Sequence, residues 1–402
     1  MTHAISGRRT PSSAFFRRDF LVALLGYFFL FMSMTLFFIF PLFLGRFGAS
    51  QSRVGLIMGI HSLMAILVRP FFGRQIDRRG GKRLSLLGLG LLMAVMPLFH
   101  LVKDAGFLPV FLRALTGLGW GVSMTATITI CSDLAPLDRL AHSIGVVGAA
   151  GLVASAVGPM LAEEIVRFFG FGWLFNAGLG FIVLAFVCLL VIREVPRPES
   201  NGRPPGRKLF VGLTPAMILL IGLMPVVHGA VRSAVIYFIA LFGKSLALER
   251  IGPFFFAFST AAILTRLSGG DLSDRFGRKR VIFPAALIIG LNLLGLSLVK
   301  SFWPFVLAGF VAGLGQGLIF PALSTYLIDI IGRERKGTAL GLYLSLFDAG
   351  MAMGAPFFGW ISDLWNYPVM YAAAGGLMLA VAALFHLKAP ELRVSRRPAE
   401  SP

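Results

Sequence analysis

Twelve runs of roughly twenty to thirty apolar residues, divided by short charged segments, leave this chain few ways to fold. They cover residues 20–44, 54–72, 84–102, 106–131, 140–163 and 171–192, then 213–242, 251–270, 281–299, 303–331, 338–362 and 368–386. About 20 apolar residues cross a bilayer. Lipid offers no hydrogen-bond partner, so each crossing segment satisfies its own backbone as a helix. Apolar residues make up 57% of the chain and charged residues 14%, against about 45–50% and about 25% in a soluble domain. The surplus has to face lipid. The expected fold class is an all-α integral membrane protein with twelve transmembrane helices.

A repeat divides the twelve runs into two sets. The segment GRQIDRRGGKR at 73–83 returns as GDLSDRFGRKR at 270–280, 197 positions later in a chain of 402. Arg69 and Arg266 precede the two copies at the same offset, and Asp133/Asp329, Arg139/Arg335, Gly145/Gly341 and Gly158/Gly354 follow one residue short of it. Duplication at half the chain length predicts two pseudo-symmetric six-helix bundles. Residues 193–208, REVPRPESNGRPPGRK, hold four prolines and several charges that exclude a membrane helix. The expected domains are a tail at 1–18, a bundle at 19–192, a linker at 193–212, a second bundle at 213–388 and a tail at 389–402. The first run is too long for a signal-peptide core and no small-residue cleavage site follows it.

The net charge is +19. With the N-terminus inside, 26 of the 37 Lys and Arg fall on the inner side and seven on the outer. That bias places both termini in the cytoplasm and the protein in the inner or plasma membrane, as a multi-pass protein. It explains the charge as topology, so no nucleic-acid partner is expected. Cys131 and Cys188 form no disulfide framework or metal site by spacing. Gly117 and Gly121, Gly313 and Gly317, and Gly350 and Gly354 recur four residues apart, a spacing that brings helices close.

Twelve spans in two halves, with this loop after the second span and again after the eighth, resemble the major facilitator superfamily, and its drug and metabolite exporters in particular. The family's loop has the form G-x-x-x-D-R-x-G-R-K. Gly73, Asp77, Arg78, Gly80, Lys82 and Arg83 match it in the first copy, with Gly81 where Arg is usual. Gly270, Asp274, Arg275, Gly277, Arg278 and Lys279 match it in the second. Asp77 and Asp274, each an acid among cations, are expected to gate the inner face together with Asp133; a solvated basic loop is the plainer alternative. Gly80 and Gly277 suit backbone angles that other residues resist, and Gly73 and Gly270 suit close helix approach. Arg113 opens RALTGLGWG, which is similar to the family's intramembrane-arginine motif, with Thr116 where glutamine is common. Gly145, Ala154, Gly158 and Pro159 resemble the glycine-proline motif of antiporters, with Ala162 and Glu163 in place of its closing glycines. Gly145, Gly158, Pro159, Gly350 and Gly354 are expected to serve helix packing.

Ionisable residues inside spans are functional candidates by default. Asp348 lies near the middle of the run 338–362, with no polar helix end near it. A charged acid alone there is costly, so it is expected to be protonated or paired and to carry a proton; a structural pair is the alternative. His228 and Arg232 share a face of the seventh span. The family's cavity-lining first, fourth, seventh and tenth spans, with the seventh beside the eleventh, place Arg232 against Asp348 and His228 in a proton relay. Arg113 and Arg232 suit an anionic solute. Trp120, Gln316 and Tyr237 are further candidate contacts, with Asn176, Asn292 and His61 behind them. The first span holds no acid, Asp19 lying only at its edge, unlike many drug–proton antiporters of the superfamily.

The resemblance implies a secondary transporter of a small organic solute working by alternating access, with proton-coupled efflux as the leading mode and proton-coupled import as the rival. No phosphate-binding loop is present, so ATP drive is not expected. No catalytic set or metal cluster points to an enzyme or a cofactor. A non-transporting sensor is the remote alternative. The partners expected are the solute, protons and lipid, with the protein a monomer.

Overall fold

Prolines and glycines decide where the apolar runs bend and stop. The structure, a computed structural model, describes residues 13–135, 140–193, 214–269, 272–332 and 335–391. The first half holds α1 (Ser13–Leu36), α2 (Phe40–Gly45), α3 (Gln51–Arg79), α4 (Gly81–Val95), α5 (Phe107–Asp133), α6 (Leu140–Phe169) and α7 (Phe171–Val191). The second half holds α8 (Pro215–Ser245), α9 (Gly252–Gly269), α10 (Leu272–Phe276), α11 (Arg278–Leu296), α12 (Phe302–Ile331), α13 (Lys336–Leu364) and α14 (Tyr367–Lys388). Pro41 sits in the first turn of α2, and the missing N–H converts one long helix into α1, a tight turn at Phe37–Ile39 and α2. Eleven of the rods among the described residues are long and apolar enough to cross a membrane, and the shorter apolar stretch Gly252–Leu267 of α9 makes the twelfth crossing. Most of the two tails and of the linker, Gly270 and the side chains of Asp77, Arg78, Asp274 and Arg275 lie outside the described residues.

The charged repeat is not the loop that its composition suggests. α3 runs on through Arg79 and stops only at Gly80, whose φ of 86° few side chains accept, and α4 begins at the next residue. In the second copy Gly277 takes φ 94° between α10 and α11. The first motif is thus a helical arm with a one-residue hinge, and the described part of the second has the same hinge at Gly277. Gly73 has nothing within 4 Å among the described residues, so close approach does not explain it, and the same holds for Gly145.

The packing repeats across the halves. Gly117 and Gly121 of α5 sit on the backbone of His61 and Ala65 in α3, and Gly313 and Gly317 of α12 sit on Phe258 and Ala262 in α9. Gly158 of α6 meets Thr35 of α1, whose Oγ1 is 3.0 Å from the Ala154 carbonyl oxygen, while Gly350 and Gly354 of α13 meet Val226 and Ala230 of α8. Small residues let these backbones touch where apolar burial gives no advantage over lipid. Pro159 lies inside α6. The halves meet along two seams, α3 with α13 and α6 with α9.

The side from which Arg193 departs and Thr214 returns is the linker side; the other is the far side. Trp173, Trp303, Trp360 and Trp365 are all exposed near far-side helix ends, an aromatic belt at one interface. Exposed Leu67, Leu87, Leu219, Leu267 and Leu387 give the rods a lipid face. The remaining tryptophan, Trp120, is turned inward.

Candidate functional site

Four arginines lie within the twelve apolar runs: Arg69, Arg113, Arg232 and Arg266. One carboxylate, Asp348, lies mid-helix; Glu163 and Glu164 are in the last two turns of α6. Asp348 pairs with Arg69, from α13 to α3 across the seam between the halves. This corrects the expectation of an Arg232 partner. α13 meets α8 through Gly350 and Gly354, while Asp348 faces α3. Arg232 instead lies 4.1 Å over the ring of Phe258 on α9. Arg69 was visible in the sequence as the repeat-mate of Arg266, but only the packing of α3 on α13 makes it the partner.

Tyr237 joins the candidates in space. Its hydroxyl is 3.4 Å from Ser62 Oγ of α3, a second contact between the halves, and it lies within electrostatic reach of Arg113, Arg232 and Asp348. His228 and Gln316 are brought together as well. His228 Nε2 donates to Gln316 Oε1 at 2.8 Å, and its Nδ1 accepts from the Tyr343 hydroxyl at 3.3 Å. Tyr343 is in turn within electrostatic reach of Asp348. Asn176 is placed elsewhere, 2.9 Å from His100.

Arg113 and Trp120 belong to a cavity inside the first bundle. Leu30, Ser33, Met34, Phe37, His61, Leu92, Met96, Arg113, Thr116 and Trp120 line it, and its space of about 20 Å³ has room for little more than one water molecule. Arg113 is only 1% exposed. Its guanidinium lies 5.5 Å from the centre of the Phe37 ring.

Two carboxylates tie the far ends of both seams. Asp363 of α13 accepts from the backbone N–H groups of Gln51 and Ser52, at 2.6 and 2.8 Å, at the start of α3. Glu163 of α6 accepts from Ile251 and Gly252, both at 2.7 Å, at the start of α9. A carboxylate on a helix N-terminus satisfies free N–H groups and meets the positive end of the helix dipole. Neither role was read from the sequence, where the fifth run was expected to end at 163; α6 in fact continues to Phe169.

On the linker side the described bonds of the motif cations stay within one half. Lys82 donates to the Leu190 and Ile192 carbonyls at 2.8 and 2.5 Å, and Lys279 donates to Ala389 at 2.8 Å. Arg278 pairs with Asp329 at 2.9 Å. Its repeat position holds Gly81, where a Cβ would come within 2.9 Å of the Ala126 carbonyl oxygen. The close crossing of α4 and α5 therefore excludes the arginine. Asp133 shares a second cavity with Gly80, Gly81, Lys82 and Arg193.

The model of the Major Facilitator Superfamily matches residues 23–253 and again 221–401. The chain belongs to that superfamily. It is 25% identical over 340 residues to the multidrug resistance protein MdtG of Dickeya zeae, covering 81% of each chain. It is 27% identical over 368 residues to the uncharacterized MFS-type transporter YhhS of Escherichia coli, covering 88% of this chain and 86% of that one. The fold is similar to that of the human organic anion transporter MFSD10, with TM-score 0.70, 18% identity and coverage of 93% and 100%. It is also similar to a POT family transporter in complex with a thioalcohol-conjugated peptide, with TM-score 0.78, 11% identity and coverage of 92% and 96%. The protein is thus a multi-pass membrane transporter of a small solute, working by alternating access rather than catalysis.

Proposed function

We propose that this transporter couples solute movement to protons through Asp348 and exports a small organic solute by antiport, with the linker side and both termini in the cytoplasm. The observation that carries the reading is the Asp348–Arg69 pair, a lone mid-membrane carboxylate bound across the seam where the halves must part. Protonation of Asp348 removes the charge that holds Arg69 and loosens the α3–α13 seam. Arg113, Arg232, Tyr237, Gln316 and Trp120 contact the solute, and His228 relays protons through Tyr343. The two motif arms, with Asp77 and Asp274, gate the linker side. The multidrug-resistance name of one relative and the close α6–α1 crossing at Gly158 support export.

Symport is the second reading, and one observation favours it. Four arginines against one mid-helix acid suit an anion, and an anion near Asp348 and a proton on Asp348 help each other to bind. Everted membrane vesicles separate the two. A solute selected by a ligand-dependent thermal-shift screen accumulates in acid-interior vesicles if antiport exports it, and a protonophore abolishes the gradient. Accumulation only when the outside is more acidic assigns symport. Accumulation indifferent to the protonophore overturns proton coupling.

A further inference from the structure

The two halves repeat one another on the linker side, and the last turn of α14 is where they part. Lys82 donates to the Ile192 carbonyl past the end of α7, and Lys279, 197 positions later, donates to the Ala389 carbonyl past the end of α14. In that register the end of α7 reads Leu189, Leu190, Val191, and the end of α14 reads His386, Leu387, Lys388. Two ionisable side chains thus stand where the first half has apolar ones. Both are exposed, and Leu387 between them is 78% exposed, so this turn faces away from the bundle. His386 is stacked on Phe283 of α11, with ring centres 4.2 Å apart. Arg280 is three residues before Phe283, so it shares that helix face one turn closer to the linker side, and it too is exposed. α11 and α14 pack side by side, and the outer groove between them carries Arg280, His386 and Lys388 at its linker-side end. None of the three has a hydrogen bond or an ion pair among the described residues. Neither helix contains an acid, and Glu391, just past α14, is the nearest in sequence.

We infer that this groove binds one anionic phospholipid of the linker-side leaflet, with the headgroup phosphate among Arg280, His386 and Lys388 and an acyl chain along Leu384 and Leu387. The inference does not depend on how transport is coupled. Charge decides the occupant. Two cations without an internal partner, placed where a crossing helix leaves the hydrocarbon, meet the phosphate layer of the bilayer. Lysine alone would need no ligand there, because its stem reaches the interface and a cation suits the carbonyl end of a helix. Lys279 already serves that end of α14, and an exposed imidazole has no such stem. A phosphate offers acceptors to the Arg280 guanidinium, the Lys388 ammonium and an imidazole N–H together. Exposed Leu384 and Leu387 continue the groove toward the hydrocarbon, which fits a charged group carrying acyl chains rather than a free phosphate. A zwitterionic lipid lacks the net charge to compensate the pair. The end of the chain itself, with Arg393, Arg396 and Arg397, is repelled by the same cations.

The repeat supplies the control, since Leu384 corresponds to Val187, which is also exposed near the end of α7. In full-length protein with Cys131 and Cys188 changed to Ala, a single cysteine at Leu384 or at Val187 carries a bimane fluorophore. Each protein is reconstituted into phosphatidylcholine bilayers and titrated with phosphatidylglycerol or phosphatidylcholine brominated on the acyl chains, and quenching is followed. At Leu384 brominated phosphatidylglycerol is expected to show an apparent affinity at least about fivefold above that of brominated phosphatidylcholine. At Val187 the ratio is expected to be less than half as large. Arg280→Gln combined with Lys388→Gln is expected to bring the Leu384 ratio close to one. His386→Leu, which restores the residue type of the first half, is expected to lower it and serves if the double variant does not fold. Equal affinity of the two lipids at Leu384 overturns the site. An undiminished ratio in folded variant protein does so too, and an equal ratio at Val187 would reduce the effect to the charge of the whole linker-side surface.

Discussion

At the residue scale the central feature is one acid and one base held across an interface. Removing a single partner from such a pair leaves a charge in a poor solvent, at a cost of about 3–5 kcal/mol, whereas removing both is far milder. Arg69→Met is therefore expected to lower the thermal midpoint in detergent, and adding Asp348→Asn to restore most of the loss. Additive losses would show that the two side chains do not depend on each other. Asp348 was legible in the sequence as a lone mid-span acid that had to be protonated or paired. Its partner was not legible, since four span arginines were equally available and only helix packing chooses among them. Arg113 was legible as an intramembrane arginine, but its burial beside Phe37 depends on side-chain geometry.

At the scale of elements, the boundaries of the crossings were readable from apolar length, and the hinges at Gly80 and Gly277 from glycine. The helical continuation of α3 through its charged end was not, because polar residues outside lipid carry no periodic signal. The two far-side carboxylate caps were also hidden, as each joins residues about 90 or 310 positions apart. They predict a measurable closure. In protein lacking Cys131 and Cys188, a cysteine at Ser62 is expected to react with a maleimide applied from the far side several-fold faster when Glu163→Gln and Asp363→Asn are combined. Unchanged rates would reduce both acids to local helix caps. Packing glycines give a second test at this scale. A Cβ at Gly350 would collide with the Val226 carbonyl, so Gly350→Ala is expected to destabilise by about 1–3 kcal/mol in a denaturation series, whereas Gly145→Ala, with open space beside it, is expected to change little.

At the scale of the whole molecule, the repeat in the sequence becomes two bundles related by matching contacts, and the departures from symmetry mark the chemistry. Arg69 and Arg266 are repeat-mates. Arg69 holds Asp348 in one seam, while Arg266 stands 5.5 Å from the ring of Phe320, beside Gly148 of the other seam, with its Nε unpartnered among the described residues. On the proposed reading, the proton-carrying element is on one side of the pseudo-axis. On that reading, rocking of the halves breaks the Asp348–Arg69 contact and a proton releases it. The most direct measurement compares wild-type and Asp348→Asn protein in proteoliposomes, with and without an imposed pH gradient, using a solute that stabilises both against heat. Asp348→Asn is expected to lose gradient-driven accumulation while keeping exchange of solute across the membrane. An Asp348→Asn transporter that still concentrates solute on a pH gradient would contradict a proton carried at this residue.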